Sequence, residues 1–440
     1  MQEYFFRLAD FIEGQLRGSE AFTANFSGED SDFVRFNKGR VRQPGSVRQY
    51  ALTIDLIDGE RHTKVQCMLA AEFTEDSRRV AKLIADARAK LPHIPADPYL
   101  LVNTVAENVV DVKENALPDA AGIVQEVVDA AEGTDFVGIY AGGDMYSGFA
   151  GSYGGRYWFS RAGFNLDWSL FHRDDKAVKS AYAGFTWQPE RFGEKMGDAR
   201  KQLDVLQRPP KTIAPGNYRV YLTPTAVAEI TGLLSWSAFG LKSLRTKQSP
   251  LIKLAEGEAA LHPSVHLYED TVGGSGPGFQ AAGFIKPPRV DLISAGKLVG
   301  ALASPRSARE YGVTANGASD GESPSALAMA AGELATRDSV SALDTGIYIN
   351  NLWYLNFSDR NNCRITGMTR FATLWVENGE IVAPLNVMRF DESLYRMFGD
   401  HLEALTAERD LLLSTDTYVQ RSTDCATMPG ALIRDFRLTL

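Results

Sequence analysis

The sequence predicts an α+β protein: an N-terminal antiparallel sheet domain with packed helices, then a β-rich, barrel- or sandwich-like domain opened by a helix. Alternating apolar runs flank Asp58-Gly59 and Asn378-Gly379, and both central residues of the favoured two-residue hairpin turn take positive φ. Strands come in succession instead of alternating with helices, which argues against a doubly wound sheet. At 440 residues the chain is too long for one core and calls for two or three domains. The division falls at 1–210 and 211–440, with a further break near 92–117, where Pro and polar residues gather.

Each element has a local reason. The first 70 residues read as sheet: Tyr50, Leu52, Ile54 and Leu56 alternate, then Thr63, Val65, Cys67 and Leu69, with an earlier turn at Asn37-Lys38-Gly39. A helix starts near Thr74, carries Val80, Leu83, Ile84, Ala87 and Leu91 as a stripe, and stops at Pro92. A second helix is expected over about 118–131. Aromatics and glycines from Phe136 to Trp187 read as short strands divided by the polar turn His172-Arg173-Asp174-Asp175-Lys176, and a charged helix follows over about 190–206. Packing, not base stacking, is the plainer use of those aromatics.

The second half opens with a strand, Tyr218 to Leu222. Thr223-Pro224 then supplies an N-cap and a proline at the first helical position. Val227, Ile230, Leu234, Ala238 and Leu241 fall on one face of the helix that follows. Strands come next: Val265 to Tyr268, Val290 to Ser294 paired with Leu298 to Leu302, Gly346 to Phe357, and Phe371 to Val376 paired with Ile381 to Pro384. A short helix after Ser323-Pro324 and a final helix over about 391–413 complete the reading.

Composition narrows the function. Lys+Arg number 46 against 55 Asp+Glu, a net charge of −9 that argues against a general nucleic-acid binder. No apolar run is long enough to span a bilayer, and the start resembles no secretory signal. Three scattered cysteines, Cys67, Cys363 and Cys425, fit a reducing compartment, so a cytoplasmic protein is expected. Cys67 reads as a small core residue, whereas Cys363 and Cys425 lie in polar contexts that suit exposed but inert thiols. There is no phosphate-binding G-x-x-x-x-G-K-[ST], no G-x-S-x-G and no H-E-x-x-H; Gly276-Pro277-Gly278 reads as a flexible loop. Among six histidines only His262 and His266 are close, and Pro263 places them on a loop entering a strand instead of one helical face.

Several strings together resemble one family. They are Gly346-Ile347-Tyr348-Ile349-Asn350-Asn351-Leu352-Trp353-Tyr354, Asn356-Phe357-Ser358-Asp359-Arg360, Thr366-Gly367-Met368-Thr369-Arg370-Phe371-Ala372 and Val376-Glu377-Asn378-Gly379-Glu380-Ile381. Gly39-Arg40-Val41-Arg42-Gln43 and Ser304-Pro305-Arg306-Ser307-Ala308-Arg309 add to them. The chain resembles the TldD/PmbA (TldE) proteins, once called modulators of DNA gyrase and regarded as metallopeptidase subunits. The catalytic, TldD-like kind carries H-E-x-x-x-H on the helix that opens the C-terminal domain, with a cysteine near the C-terminus completing a zinc site. Here that helix reads Ala228-Glu229-Ile230-Thr231-Gly232-Leu233. Glu229 matches the family's glutamate, but a methyl and an isobutyl group stand where both imidazoles would, and neither offers a lone pair.

The resemblance therefore implies the PmbA/TldE kind: a subunit with no metal site or catalytic residue of its own, partnered by a TldD-like chain that holds the zinc. The pair would enclose a chamber for unfolded or extended peptides; a homodimer is open when no partner is present. Asn350, Asn351, Trp353 and Tyr354 offer amides and aromatics for substrate binding by strand addition. They would equally serve as core aromatics and turn caps. Two other readings stand beside this one: an autonomous metallopeptidase with an atypical His262, His266 and Cys425 site, and a regulatory protein acting on DNA gyrase.

Overall fold

The computed structural model describes residues 1–173 and 176–440. The expected turn at 172–176 therefore lies partly outside the described residues. The first sheet consists of β1 (Ala21–Asn37), β2 (Arg40–Asp58), β3 (Arg61–Leu69), β4 (Asn108–Val112), β5 (Asp135–Gly151), β6 (Arg156–Arg173) and β7 (Lys176–Gly184). Its order is β3-β2-β1-β5-β6-β4, with β7 also on β6; among the described residues only the β4–β6 pairing is parallel. The turns fall where the sequence places them: Lys38 and Gly39 have φ of 53° and 66°, and Gly59 has 61°. Two helices, α1 (Gln2–Glu13) and α2 (Phe73–Lys90), cover one part of this sheet, burying Phe5, Leu8 and Ile12 with Val80, Ile84 and Ala87. Another part is covered by α3 (Ala120–Ala130) and α4 (Pro189–Leu206).

The second sheet comprises β8 (Gly216–Leu222), β9 (Leu267–Asp270), β10 (Arg289–Ser294), β11 (Lys297–Leu298), β12 (Ala326–Met329), β13 (Gly346–Asp359), β14 (Arg364–Glu377), β15 (Glu380–Pro384), β16 (Arg389–Ser393), β17 (Leu402–Leu413) and β18 (Cys425–Leu438). Its path runs β11-β10-β9-β12-β18-β16-β14-β13-β8, and β8 pairs back onto β18. The ring β18-β16-β14-β13-β8 therefore closes over the paired parts of its strands, which gives the expected barrel-like form. Helix α5 (Pro224–Gly232) follows β8 and buries Ala226, Val227 and Ile230 against this ring.

Several expectations are corrected. Residues 2–13 form a helix, not sheet: Phe5, Leu8, Ala9 and Ile12 recur at helical spacing and are buried. The long helix over 391–413 does not form. A short helical stretch, Arg396–Asp400, breaks at Gly399 (φ −103°, ψ −120°), and the chain continues extended as β17. The opening helix stops at Gly232, a 3-10 turn follows, and Ser237 at φ 69° ends the run before Leu241 starts another short helix. Residues after Ser323-Pro324 enter β12 instead of a helix, and the partner of β10 is only Lys297–Leu298. Cys363 is fully buried, and burial pushes its thiol up to about 12.

The two sheets share packing. Ala372 and Leu374 of β14 join the buried cluster of Phe136, Trp168, Tyr182 and Phe192 from the N-terminal half. Arg421, in the segment before β18, is 7% exposed and reaches across to the first sheet. Its guanidinium donates to Ser31 Oγ (3.1 Å), Gly143 O (3.3 Å) and Gly163 O (2.8 Å). Gly143, at φ 141°, is required by the close approach of β1 and β5, because a Cβ there would collide with the Asp30 carbonyl. Arg421→Ala orphans these acceptors in a buried junction and is expected to cost about 3 kcal/mol. The check is a lowered urea midpoint with an unchanged far-ultraviolet spectrum.

Candidate functional site

The site grows out of the place where β8 turns into α5. Parallel pairing of β8 with β13 runs through Val220–Ile347, Tyr221–Tyr348 and Leu222–Ile349, and Thr223 N donates to Ile349 O. Thr223 then caps α5: its Oγ1 accepts from Ala226 N at 3.2 Å and donates to Asn350 O at 2.6 Å. Beyond this point β8 has left the sheet, so that edge of β13 has no strand beside it. The β13–β14 register shifts between Ile349 and Asn351, and again between Trp353 and Asn356.

Glu229 projects from α5 onto this bulged edge. One carboxylate oxygen accepts from the Leu352 backbone N–H, and the other from Asn351 Nδ2 at 3.2 Å. Burial pushes the Glu229 carboxyl up to about 7, although the Leu352 N–H, the Asn351 amide and the charge of Lys179 all favour its ionised form. Asn350 Nδ2 donates to Lys179 O (2.7 Å) and to Asn351 Oδ1 (2.9 Å). Lys179 Nζ lies 3.1 Å from Asp167 Oδ2, and burial raises the Asp167 carboxyl against the pull of that lysine. The site thus joins α5 and β13 of the second half to β6 and β7 of the first.

Outside this polar knot lies an aromatic shelf. Trp353 is 49% exposed and Tyr354 77% exposed, with ring centroids 5.7 Å apart. Tyr354 and, on the facing strand, Phe371 adopt φ of 58° and 56°. Bulky residues avoid that region, and each such position costs on the order of 1–3 kcal/mol, strain of the kind that gathers at functional sites.

The four residues singled out by sequence are adjacent, but they divide in role. Asn351 is 2% exposed, and the amides of both asparagines are engaged within the chain, while Trp353 and Tyr354 face solvent. Asp167, Lys179, Arg370 and Phe371 were not singled out as site residues. Only Arg370 and Phe371 had a sequence signal, their place in the Thr366-to-Ala372 string.

A zinc ion does not fit the residues of α5. Ala228 and Leu233 offer no donor atom, Leu233 is buried in the core, and both Glu229 oxygens already accept hydrogen bonds. The other candidate ligands are apart. His262 Nδ1 meets Ser264 Oγ at 2.8 Å, and His266 Nδ1 accepts from Ala295 N at 3.3 Å. Cys425 pairs with Ala326 at one end of β12, whereas His266 O accepts from Ala330 N beyond the other end, about four residues or ~13 Å along a strand. Among the described residues no group of three or more His, Cys, Asp and Glu side chains is arranged to hold a metal.

Residues 215–439 match the family model for the PmbA/TldA metallopeptidase C-terminal domain, about half the chain. The chain belongs to this family. No curated protein matches it. Solved structures share its fold: TldE from Thermococcus kodakarensis has 13% identity and a TM-score of 0.80, covering 99% of this chain and 100% of its own. A candidate modulator of a DNA gyrase from Thermotoga maritima MSB8 has 14% identity and a TM-score of 0.76, with 99% of each chain covered. A similarly named protein from Bacteroides thetaiotaomicron VPI-5482 has 14% identity and a TM-score of 0.73, covering 99% of this chain and 98% of its own.

The raised Glu229 carboxyl makes stability depend on pH. Its ordinary value is 4.5 and its folded value about 7, so the fold holds a proton between these values that the unfolded chain releases. The associated stability is complete below about 4.5 and lost as pH rises through 7. Glu229→Gln keeps an acceptor for Leu352 N but does not titrate. The variant is expected to flatten this slope and to be more stable than the parent above pH 7, by about 2 kcal/mol. Urea midpoints at pH 5 and pH 8 check it; parallel profiles for the two proteins would contradict the assignment.

Proposed function

We propose that this chain is a non-catalytic, substrate-binding subunit of a heteromeric zinc metallopeptidase of the PmbA/TldD family, partnered by a TldD-like chain. The observation that supports it most is α5: the family's helix is present and capped, but Ala228 within it and Leu233 just past its end stand at the two ligand positions. Zinc, held by the partner, supplies the polarisation of the scissile carbonyl and the activation of water. The residues of this chain bind and orient the substrate.

The substrate is an unfolded or extended peptide. An extended backbone lies along the bulged outer part of β13 beside Trp353 and Tyr354, which offer ring faces and edges at small entropic cost. Asn350 and Asn351 act one step back. Their amides fix the bulge by holding Lys179 O and Glu229, so the shelf is formed before the peptide arrives. Glu229 without a metal-bound water beside it has no general-base task; it secures the Leu352 N–H. The cytoplasm is the compartment proposed. Its support is the scatter of the three cysteines, none joined to another in a disulfide, together with the absence, among the described residues, of a helix long and apolar enough to cross a membrane.

The test is reconstitution. The purified chain is expected to cleave no unstructured peptide, to co-elute with a TldD-like H-E-x-x-x-H subunit on size-exclusion chromatography, and to give cleavage only in that mixture. Robust peptidase activity from the chain alone, in a preparation free of other proteases, would overturn the proposal.

A further inference from the structure

Arg370 stands opposite Asn351 in the β13–β14 ladder. Its guanidinium lies over the Trp353 ring at 4.4 Å and near the Phe371 ring at 5.3 Å. These ring faces are its contacts among the described residues; no carboxylate, carbonyl or hydroxyl there takes one of its N–H groups. A guanidinium lying over ring faces makes no hydrogen bonds to them, so its N–H donors stay available to a carboxylate, which can take two of them side by side. The residue is half-buried, so the fork is held without being shielded.

Among the described residues one positive charge is left unbalanced. Lys179 Nζ, 5.9 Å from the Phe371 ring centroid, is already paired with Asp167. Arg370 has no such partner among them. Tyr354 and Phe371, one on each of the two strands, hold left-handed backbone conformations, the kind of local strain that gathers at functional sites.

We propose that Arg370, clasped by Trp353 and Phe371, is a carboxylate-binding subsite that takes an acidic side chain or the terminal carboxylate of an extended peptide lying along the bulged end of β13. The inference rests on the peptide-binding reading above and adds a charge preference to it. The ligand carboxylate accepts two parallel N–H bonds from the guanidinium edge, while the adjacent part of the peptide packs on Trp353 and Tyr354.

The test uses the full chain and three unstructured peptides of equal length, each with a neutral dye. One has an internal Glu and an amidated end, the second has Gln and a free C-terminal carboxylate, and the third has Gln and an amidated end. Fluorescence anisotropy is expected to show at least one carboxylate peptide binding about tenfold tighter than the neutral one, and which one does so identifies the source of the carboxylate. In Arg370→Gln that advantage disappears, so that carboxylate and neutral peptides bind alike, and Arg370→Lys keeps part of it. Equal binding of all three peptides by the parent chain overturns the carboxylate subsite and leaves peptide binding standing. Retention of the full preference by a folded Arg370→Gln does the same. Failure of every peptide to bind overturns both.

Discussion

The Leu352 backbone N–H sets the local problem that the site solves. It lies on a stretch of β13 from which the neighbouring strand has departed, because β8 ends at Leu222 and Thr223 starts a helix. An unpaired N–H at such a buried edge is costly. Glu229, carried back over the edge by α5, supplies the acceptor and binds Asn351 with its second oxygen. The carboxylate is anchored to the sheet, and the sheet is bulged to meet it.

The anchor also couples the two halves of the molecule. Asn351 binds Asn350, Asn350 reaches Lys179 in β7, and Lys179 is paired with Asp167 in β6. Ala372 and Leu374 extend the same junction into the aromatic core of the first sheet, and Arg421 closes it from the segment before β18. A bulged strand alone is a soft feature. Fixed from both sides, it holds the backbone under Trp353, Tyr354 and Arg370 in place, so that in the proposed peptide-binding role the entropy of ordering the shelf is lost on folding instead of on binding.

Much of this architecture was legible because its signals are local. Lys38-Gly39, Asp58-Gly59 and Asn378-Gly379 state their turns, and Thr223-Pro224 states the start of α5. Two elements were misread where apolar spacing fits both periods. The cluster Tyr4-Phe5-Phe6 suits a strand until Leu8, Ala9 and Ile12 are counted with it. Leu394, Met397, Phe398 and Leu402 suggest a helix that the backbone of Gly399 interrupts. Within the site, Glu229 could be placed by its motif and the aromatics by their string. Asp167 and Lys179 could not, because they lie about 170 or more residues from Asn350 and meet it only through packing between the two sheets. The burial of Asn351 was likewise hidden, since it depends on a bulge that no residue type announces.

Zinc stoichiometry tests the central claim most directly. The purified chain would be incubated with equimolar zinc, desalted, and measured by inductively coupled plasma mass spectrometry beside Glu229→Gln and a TldD-like chain. The account predicts one zinc per TldD-like chain and far less than one for both forms of this protein. One tightly held zinc per chain here, lost in Glu229→Gln, would show that Glu229 is a metal-site residue and not the anchor of a bulged strand.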